Sequence, residues 1–122
     1  MAKIAYGSAH VPLSPAVRAG DFIYISGQVP TLADGSVVVG GIEAQTRRVM
    51  ENISAALALA GATLADVVKT TVILADAREF GAFNKVYGSY FPEQPPARTT
   101  LEARLMIDIK VEIEAIAYLP QK

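Results

Sequence analysis

The sequence contains no cysteine, no tryptophan and a single histidine, His10. Without cysteine there can be no disulfide, no thiolate nucleophile and no cysteine-ligated zinc or iron–sulfur centre. His10 stands in an irregular arm, and no G-x-S-x-G elbow accompanies it, so no nucleophilic triad is supported. No carboxylate–histidine spacing suggests a metal site. A phosphate-cradling loop is missing too, because Gly40-Gly41 has neither the G-x-G-x-x-G nor the P-loop spacing. Neither sign of charge is in excess: 11 Lys and Arg face 12 Asp and Glu, for a net charge of -1. The basic footprint of a nucleic-acid binder is therefore absent, and neither nucleic acid nor a membrane is expected as a partner. No apolar run approaches the ~20 residues that span a bilayer. Met1-Ala2-Lys3-Ile4 lacks the charged-then-apolar layout of a signal peptide, so a cytoplasmic protein is expected.

What the chain has is apolar surface. Hydrophobic residues make up 52% of its 122 positions and charged residues 19%. That suits one domain with a sizeable core, spanning residues 1–122, with no internal linker or low-complexity stretch. Residues 1–20 read as a short edge strand followed by an irregular arm, because Pro12 and Pro15 interrupt ladder pairing. Asp21–Ser26 reads as a strand, and Asp34-Gly35 as a hairpin turn between Val29 and Val37–Val39. Ile42, Val49, Ile53, Ala56, Leu57 and Ala60 repeat at helical spacing, with Gly61 as the stop. Val67–Ala75 reads as a second strand whose Val68, Thr70, Val72 and Leu74 share a face. Asp76 and Glu79 resemble a capping box for a second helix carrying Phe80, Phe83, Tyr87, Tyr90 and Phe91, closed by Pro92.

The segment from Pro95 to Ala117 reads as two strands joined by a tight connection, a hairpin with one apolar and one charged face. The expected architecture is an α+β sandwich: a mixed sheet with both helices packed on one face. Phe22 and Tyr24 alternate with Ile23 and Ile25, so that strand is apolar on both sides. Helices cover only one of these, and the economical cover for the other is a second copy of the chain.

Two kinds of residue on the last segment invite chemistry. Arg98 follows the stiff Pro95-Pro96, and its planar fork suits a carboxylate; the alternative is an ordinary surface ion pair. A glutamate beside apolar neighbours can carry a raised pKa and deprotonate a water. Glu102, Glu112 and Glu114 all qualify, and parity does not choose among them. Asn84 and Tyr87 lie near the middle of the second helix, where the aromatic stripe reads as core. Ser26-Gly27-Gln28 ends a strand, where backbone groups can be free for a ligand.

Taken together, Ser14–Gly20 (S-P-A-V-R-A-G), Ile25–Pro30 (I-S-G-Q-V-P), Gly40–Arg47 (G-G-I-E-A-Q-T-R), Asp66–Val72 (D-V-V-K-T-T-V), Phe83–Tyr87 (F-N-K-V-Y), Pro95–Glu102 (P-P-A-R-T-T-L-E) and Val111–Ala117 (V-E-I-E-A-I-A) resemble the RidA/YjgF family of reactive imine and enamine deaminases. The resemblance covers nearly the whole chain in order. It implies a chorismate-mutase-like fold and a homotrimer with sites between subunits. It implies that Arg98 binds a substrate carboxylate, that Glu112 serves the reactive water, and that Ser26, Gly27, Gln28 and Asn84 line the pocket. The implied reaction is hydrolysis of 2-iminobutanoate or 2-iminopropanoate to a 2-oxo acid and ammonia, with no metal or organic cofactor. A non-catalytic carboxylate-binding module, or a paralogue hydrolysing another small acid, is the alternative. Two departures stand out. Leu13 occupies the place of the arm tyrosine that many of these deaminases carry, and Met106–Lys110 replaces an L-P-K-D type connection.

Overall fold

The computed structural model describes residues 2–122. Its strands are β1 (Ile4–Tyr6), β2 (Ala16–Ala19), β3 (Phe22–Gln28), β4 (Val67–Leu74), β5 (Ala97–Glu102) and β6 (Val111–Tyr118), with helices α1 (Ile42–Leu59) and α2 (Phe80–Ser89). They form one six-stranded sheet in the order β1-β2-β3-β6-β4-β5. Only β4 and β5 are parallel. That pairing follows from the chain path: parallel neighbours need a crossover, and α2 supplies it.

Both helices lie on the face that carries Ile23 and Ile25 of β3, Val72 and Leu74 of β4, and Val111, Ile113, Ala115 and Ala117 of β6. Val49, Met50, Ile53 and Leu57 of α1 and Phe83 of α2 are nearly solvent-free against it. Gly61, at φ +80°, takes the left-handed position that ends α1. The amides of Gly61 and Ala62 return to the carbonyls of Ala58 and Leu57 at 3.1 and 3.0 Å, as a Schellman end requires. Gln45, buried on α1, accepts the Lys110 amide at 2.8 Å and so fixes the start of β6.

The expected architecture is present, with five corrections. First, the last two strands are not a hairpin: β4 lies between β5 and β6, and residues 103–110 cross over it. Second, the arm after β1 becomes regular again at Ala16–Ala19, where β2 pairs with β3 directly after Pro15. Third, the Asp34-Gly35 turn closes a loop held by one bridge, Thr31 to Val37, and builds no strand pair. Fourth, a register shift between Val67 and Lys69 breaks the expected parity. Val67 is buried as a result, and Val68 is turned outward. A bulge of this kind adds one residue to one strand and cannot be seen in a two-residue alternation. Fifth, Asp76 caps a short 3-10 turn (Ala77–Glu79) by accepting the Arg78 amide, while Glu79 reaches Lys110 Nζ at 3.8 Å. The capping box belongs to Thr63 and Asp66 instead. α2 ends at Ser89, ahead of Pro92.

The opposite face of the sheet is uncovered within one chain. Phe22, Tyr24 and Tyr118 are 40%, 46% and 44% exposed there, and the Phe22 and Tyr118 rings meet tilted by 60° with centroids 5.3 Å apart.

Candidate functional site

Arg98 is placed by β5. In the parallel ladder it stands opposite Thr70, whose side chain is buried under α2, so Arg98 also leaves the sheet on the helix face. There it meets one face of α2. Its guanidinium carbon lies 5.4 Å from the ring centre of Phe80, 5.6 Å from that of Phe83 and 4.9 Å from that of Tyr87. Positions 80, 83 and 87 follow helical spacing, which brings the rings onto one side. Among the described residues no carboxylate pairs with Arg98. The cleft beside it is lined by Asn84, Tyr87, Phe91, Pro95 and Pro96. Asn84 Oδ1 is buried there without a hydrogen-bond partner. The Tyr87 hydroxyl shares a 2.7 Å hydrogen bond with Thr70 Oγ1. Burial pushes the Tyr87 phenol above its ordinary range, against opposing pulls from that hydrogen bond and from Arg98, so the ring stays neutral.

Glu112 is placed by β6. It stands opposite Ile73, and its neighbours Val111 and Ile113 are in the core, so its side chain leaves on the face away from the helices. Its carboxylate packs on Gly27, where a Cβ would overlap Oε2 and lie 3.1 Å from Cδ. Burial raises the Glu112 carboxyl above the usual carboxylate range, and the negative charge of Glu114 adds to the rise. Ser26 holds the arm at this end of β3. Its Oγ donates to the Ser14 carbonyl at 2.6 Å, and its amide to Pro15 at 3.0 Å. Leu13, 47% exposed, projects from that arm. Gln28 turns the other way: after a register shift it pairs with Ile113, and its side chain lies in a hollow beside Arg48 and Asn52. From there its amide donates back to the Ser26 carbonyl at 3.1 Å.

The residues singled out in the sequence therefore fall into two groups, with Gln28 outside both. Arg98 and Asn84 share one cleft. Glu112 and Gly27 are in contact, with Ser26 and the Leu13 arm at the same strand end. Thr70 stands opposite both Arg98 and Ala115, and Glu112 is three residues farther along β6. Two strand spacings across and three residues along put the two Cα atoms about 14 Å apart, with side chains on opposite faces. One chain does not bring Arg98 and Glu112 to a common point. Sequence reasoning read the α2 aromatic stripe as core alone and missed it as the surround of Arg98. The available signal was the strand–helix–strand alternation from β4 to β5, which calls for a parallel pair with α2 above it.

A larger concavity lies under residues 103–109, with Glu102, Arg104 and Asp108 on its wall, and includes neither Arg98 nor Glu112. No group of three or more metal-ligating side chains occurs among the described residues. No helix among them is long and apolar enough to cross a membrane.

The family model described as endoribonuclease L-PSP matches residues 5–119. A RutC family protein of Pyrococcus abyssi is 50% identical over 109 residues, which are 88% of this chain and 86% of that one. Reactive Intermediate Deaminase A, chloroplastic, of Arabidopsis thaliana is 39% identical over 110 residues, 88% of this chain and 59% of that longer one. Among solved structures, a putative endoribonuclease of Thermotoga maritima superposes with a TM-score of 0.92 at 37% identity, covering 97% of this chain and 98% of that one.

Proposed function

The chain belongs to the RidA/YjgF family and has its chorismate-mutase-like fold, and from that premise we propose that it hydrolyses reactive 2-imino acids such as 2-iminobutanoate and 2-iminopropanoate. The observation that carries this reading is Arg98: a guanidinium set in a cleft, surrounded by aromatic rings and free of any carboxylate of its own among the described residues. Such a fork is available for a substrate carboxylate in a two-pronged grip. A relative named as a reactive intermediate deaminase supports the reaction class. RNA cleavage, suggested by the family model's description, calls for a surface that attracts phosphates, and a chain of net charge -1 lacks the basic excess of a nucleic-acid binder.

Glu112 supplies the acid–base group. Its raised pKa brings it nearer to neutrality, where one carboxyl can both accept and return a proton. It takes a proton from water as the oxygen bonds to the carbon of the nitrogen-protonated imine, whose C=N π pair moves onto nitrogen. The resulting amino alcohol keeps its carbon–nitrogen bond until Glu112 returns the proton to nitrogen. The bond then breaks, ammonia leaves, and the hydroxyl proton passes to the released ammonia as the 2-oxo acid forms. Water is the only co-reactant, and orientation with one proton shuttle suffices for a reaction that already proceeds in water. Because Arg98 and Glu112 face opposite ways in one chain, the working site takes each from a different copy. The uncovered Phe22–Tyr24–Tyr118 face is the surface on which copies pack, in a homotrimer with sites between subunits.

The test generates 2-iminobutanoate with a threonine dehydratase and follows 2-oxobutanoate release in competition with semicarbazide. The purified protein is expected to accelerate release, and Arg98→Ala to lose the effect. No acceleration by the unmodified protein refutes the reaction; binding of 2-oxobutanoate without turnover assigns the chain as a carboxylate-binding module.

A further inference from the structure

An acidic neighbour can fix the direction of an arginine, but it also competes for the charge that a ligand would use. Arg98 is held differently. Three rings of α2 approach its guanidinium carbon at 4.9 to 5.6 Å, all within the range of attraction between a cation and a ring face. Two of the three rings are firmly fixed. Phe83 is fully buried, and Tyr87 is buried with its hydroxyl tied to Thr70 on β4. Phe80 is the loose member, 41% exposed at the rim. β4, α2 and β5 thus form one unit, in which the strand carrying Arg98 and the strand anchoring Tyr87 are hydrogen-bonded neighbours.

We propose that Phe80, Phe83 and Tyr87 form an aromatic seat that positions the Arg98 guanidinium for a carboxylate, with Tyr87 as its fixed wall. The proposal rests on the reading of Arg98 as the carboxylate site. The seat acts in two ways. Flat rings restrict the guanidinium to a few orientations, so less side-chain freedom is lost when a ligand binds. The rings also carry no formal charge, so the fork keeps its full charge for the ligand. These are positioning residues, which act through Arg98 and not on the reacting atoms. A lysine at position 98 would keep the charge but not the flat fork that fits between rings.

The Arg98 Nε–H resonance reads the seat independently of activity. Ring currents are expected to shift it upfield from that of the exposed Arg47, and an unshifted signal would overturn the seat. Calorimetric titration with 2-oxobutanoate then measures its effect. Tyr87→Leu is expected to weaken binding about 3- to 30-fold, and the exposed-site variant Phe80→Leu about 2- to 5-fold, by the strength of cation–ring contacts. Tyr87→Phe, which keeps the ring but loses its tie to Thr70, is expected to lose less affinity than Tyr87→Leu, and equal losses in the two would refute the ring as the part that seats Arg98. In turnover, KM rises in the two leucine variants while kcat holds, a split that general loss of structure does not produce. Equal affinity in Phe80→Leu, Tyr87→Leu and the unmodified protein refutes the seat even if the resonance is shifted. Should Tyr87→Leu fail to fold, Phe80→Leu and the resonance decide. Unchanged binding in Arg98→Ala would instead refute the carboxylate site itself, which separates the two failures.

Discussion

Gly27→Ala isolates the position of one carboxylate. Gly27 lies in the irregular part of β3 beside β6, and a Cβ there would overlap Glu112 Oε2 and stand 3.1 and 3.3 Å from its Cδ and Cγ. The backbone offers no objection, since Gly27 is not among the glycines with positive φ. The obstacle is the end of a flexible side chain, so the fold can absorb the methyl group by letting Glu112 retreat about 1 Å, at a cost of about 1 kcal/mol or less, because the side chain is half-exposed and can re-rotamerise. Catalysis has no such tolerance. A displacement of that size at a reacting group costs about 100-fold in rate. Arg98 sits on the other face of the sheet and does not feel the change. The expected outcome is a fall of about 100-fold in kcat for 2-iminobutanoate, with KM within about twofold of the original and a melting temperature within a few degrees. A kcat that survives the substitution in a folded protein would mean that Glu112 need not stand where Gly27 lets it stand, and the proton-shuttle role would fall with it.

Two predictions concern the charge on Glu112. Its pKa is raised first by burial and second by Glu114, so the acid limb of the kcat/KM profile should lie above the ordinary glutamate range near 4.5 and move to lower pH in Glu114→Gln, without returning fully; an unmoved limb removes Glu114 as a cause. For stability the sign is set by the same rise. The folded chain holds this proton to higher pH than the unfolded one, so the contribution is complete below about pH 4.5 and is lost as pH climbs through the folded value. Denaturation of Glu112→Gln across that range should show a smaller loss of stability with rising pH than the unmodified chain, and parallel curves would contradict the assignment.

Much of this was legible in the residues, and the misses have physical causes. Helix α1 announces itself through six apolar positions at one spacing and a glycine stop that the backbone uses at φ +80°. β6 alternates cleanly because it has one face in the core, and β3 alternates in burial only as far as Ile25, where its register shifts. The failure at residues 95–117 is one of adjacency. Two strands close in sequence can pair, or can admit a third between them, and alternation is the same in both cases. β4 comes between them because α2 carries the chain over the sheet to lie parallel beside β4, leaving β6 to close the other side. The site suffered from the same gap. Arg98 and Glu112 were singled out by resemblance, but which face each occupies depends on partners in the ladder, Thr70 for one and Ile73 for the other. The aromatic stripe was read as core, correctly for Phe83 and Tyr87, which also form the wall around Arg98. A ring can serve both purposes, since its edge packs inward while its face meets a cation.

In the proposed site Arg98 of one copy works with Glu112 of another, and mixed assemblies separate this arrangement from a site within one chain. Arg98→Ala and Glu112→Ala are each expected to be nearly inactive alone. Unfolded together in equal amounts and refolded, they should regain turnover, because some clefts then receive an intact Arg98 from one variant and an intact Glu112 from the other. In a ring closed by one repeated interface, random mixing makes such clefts about one quarter of the total, so about one quarter of the original activity should return. Recovery near that level supports a site shared between copies. No recovery from a mixture shown to have exchanged subunits would place both residues' work within a single chain and refute the shared site.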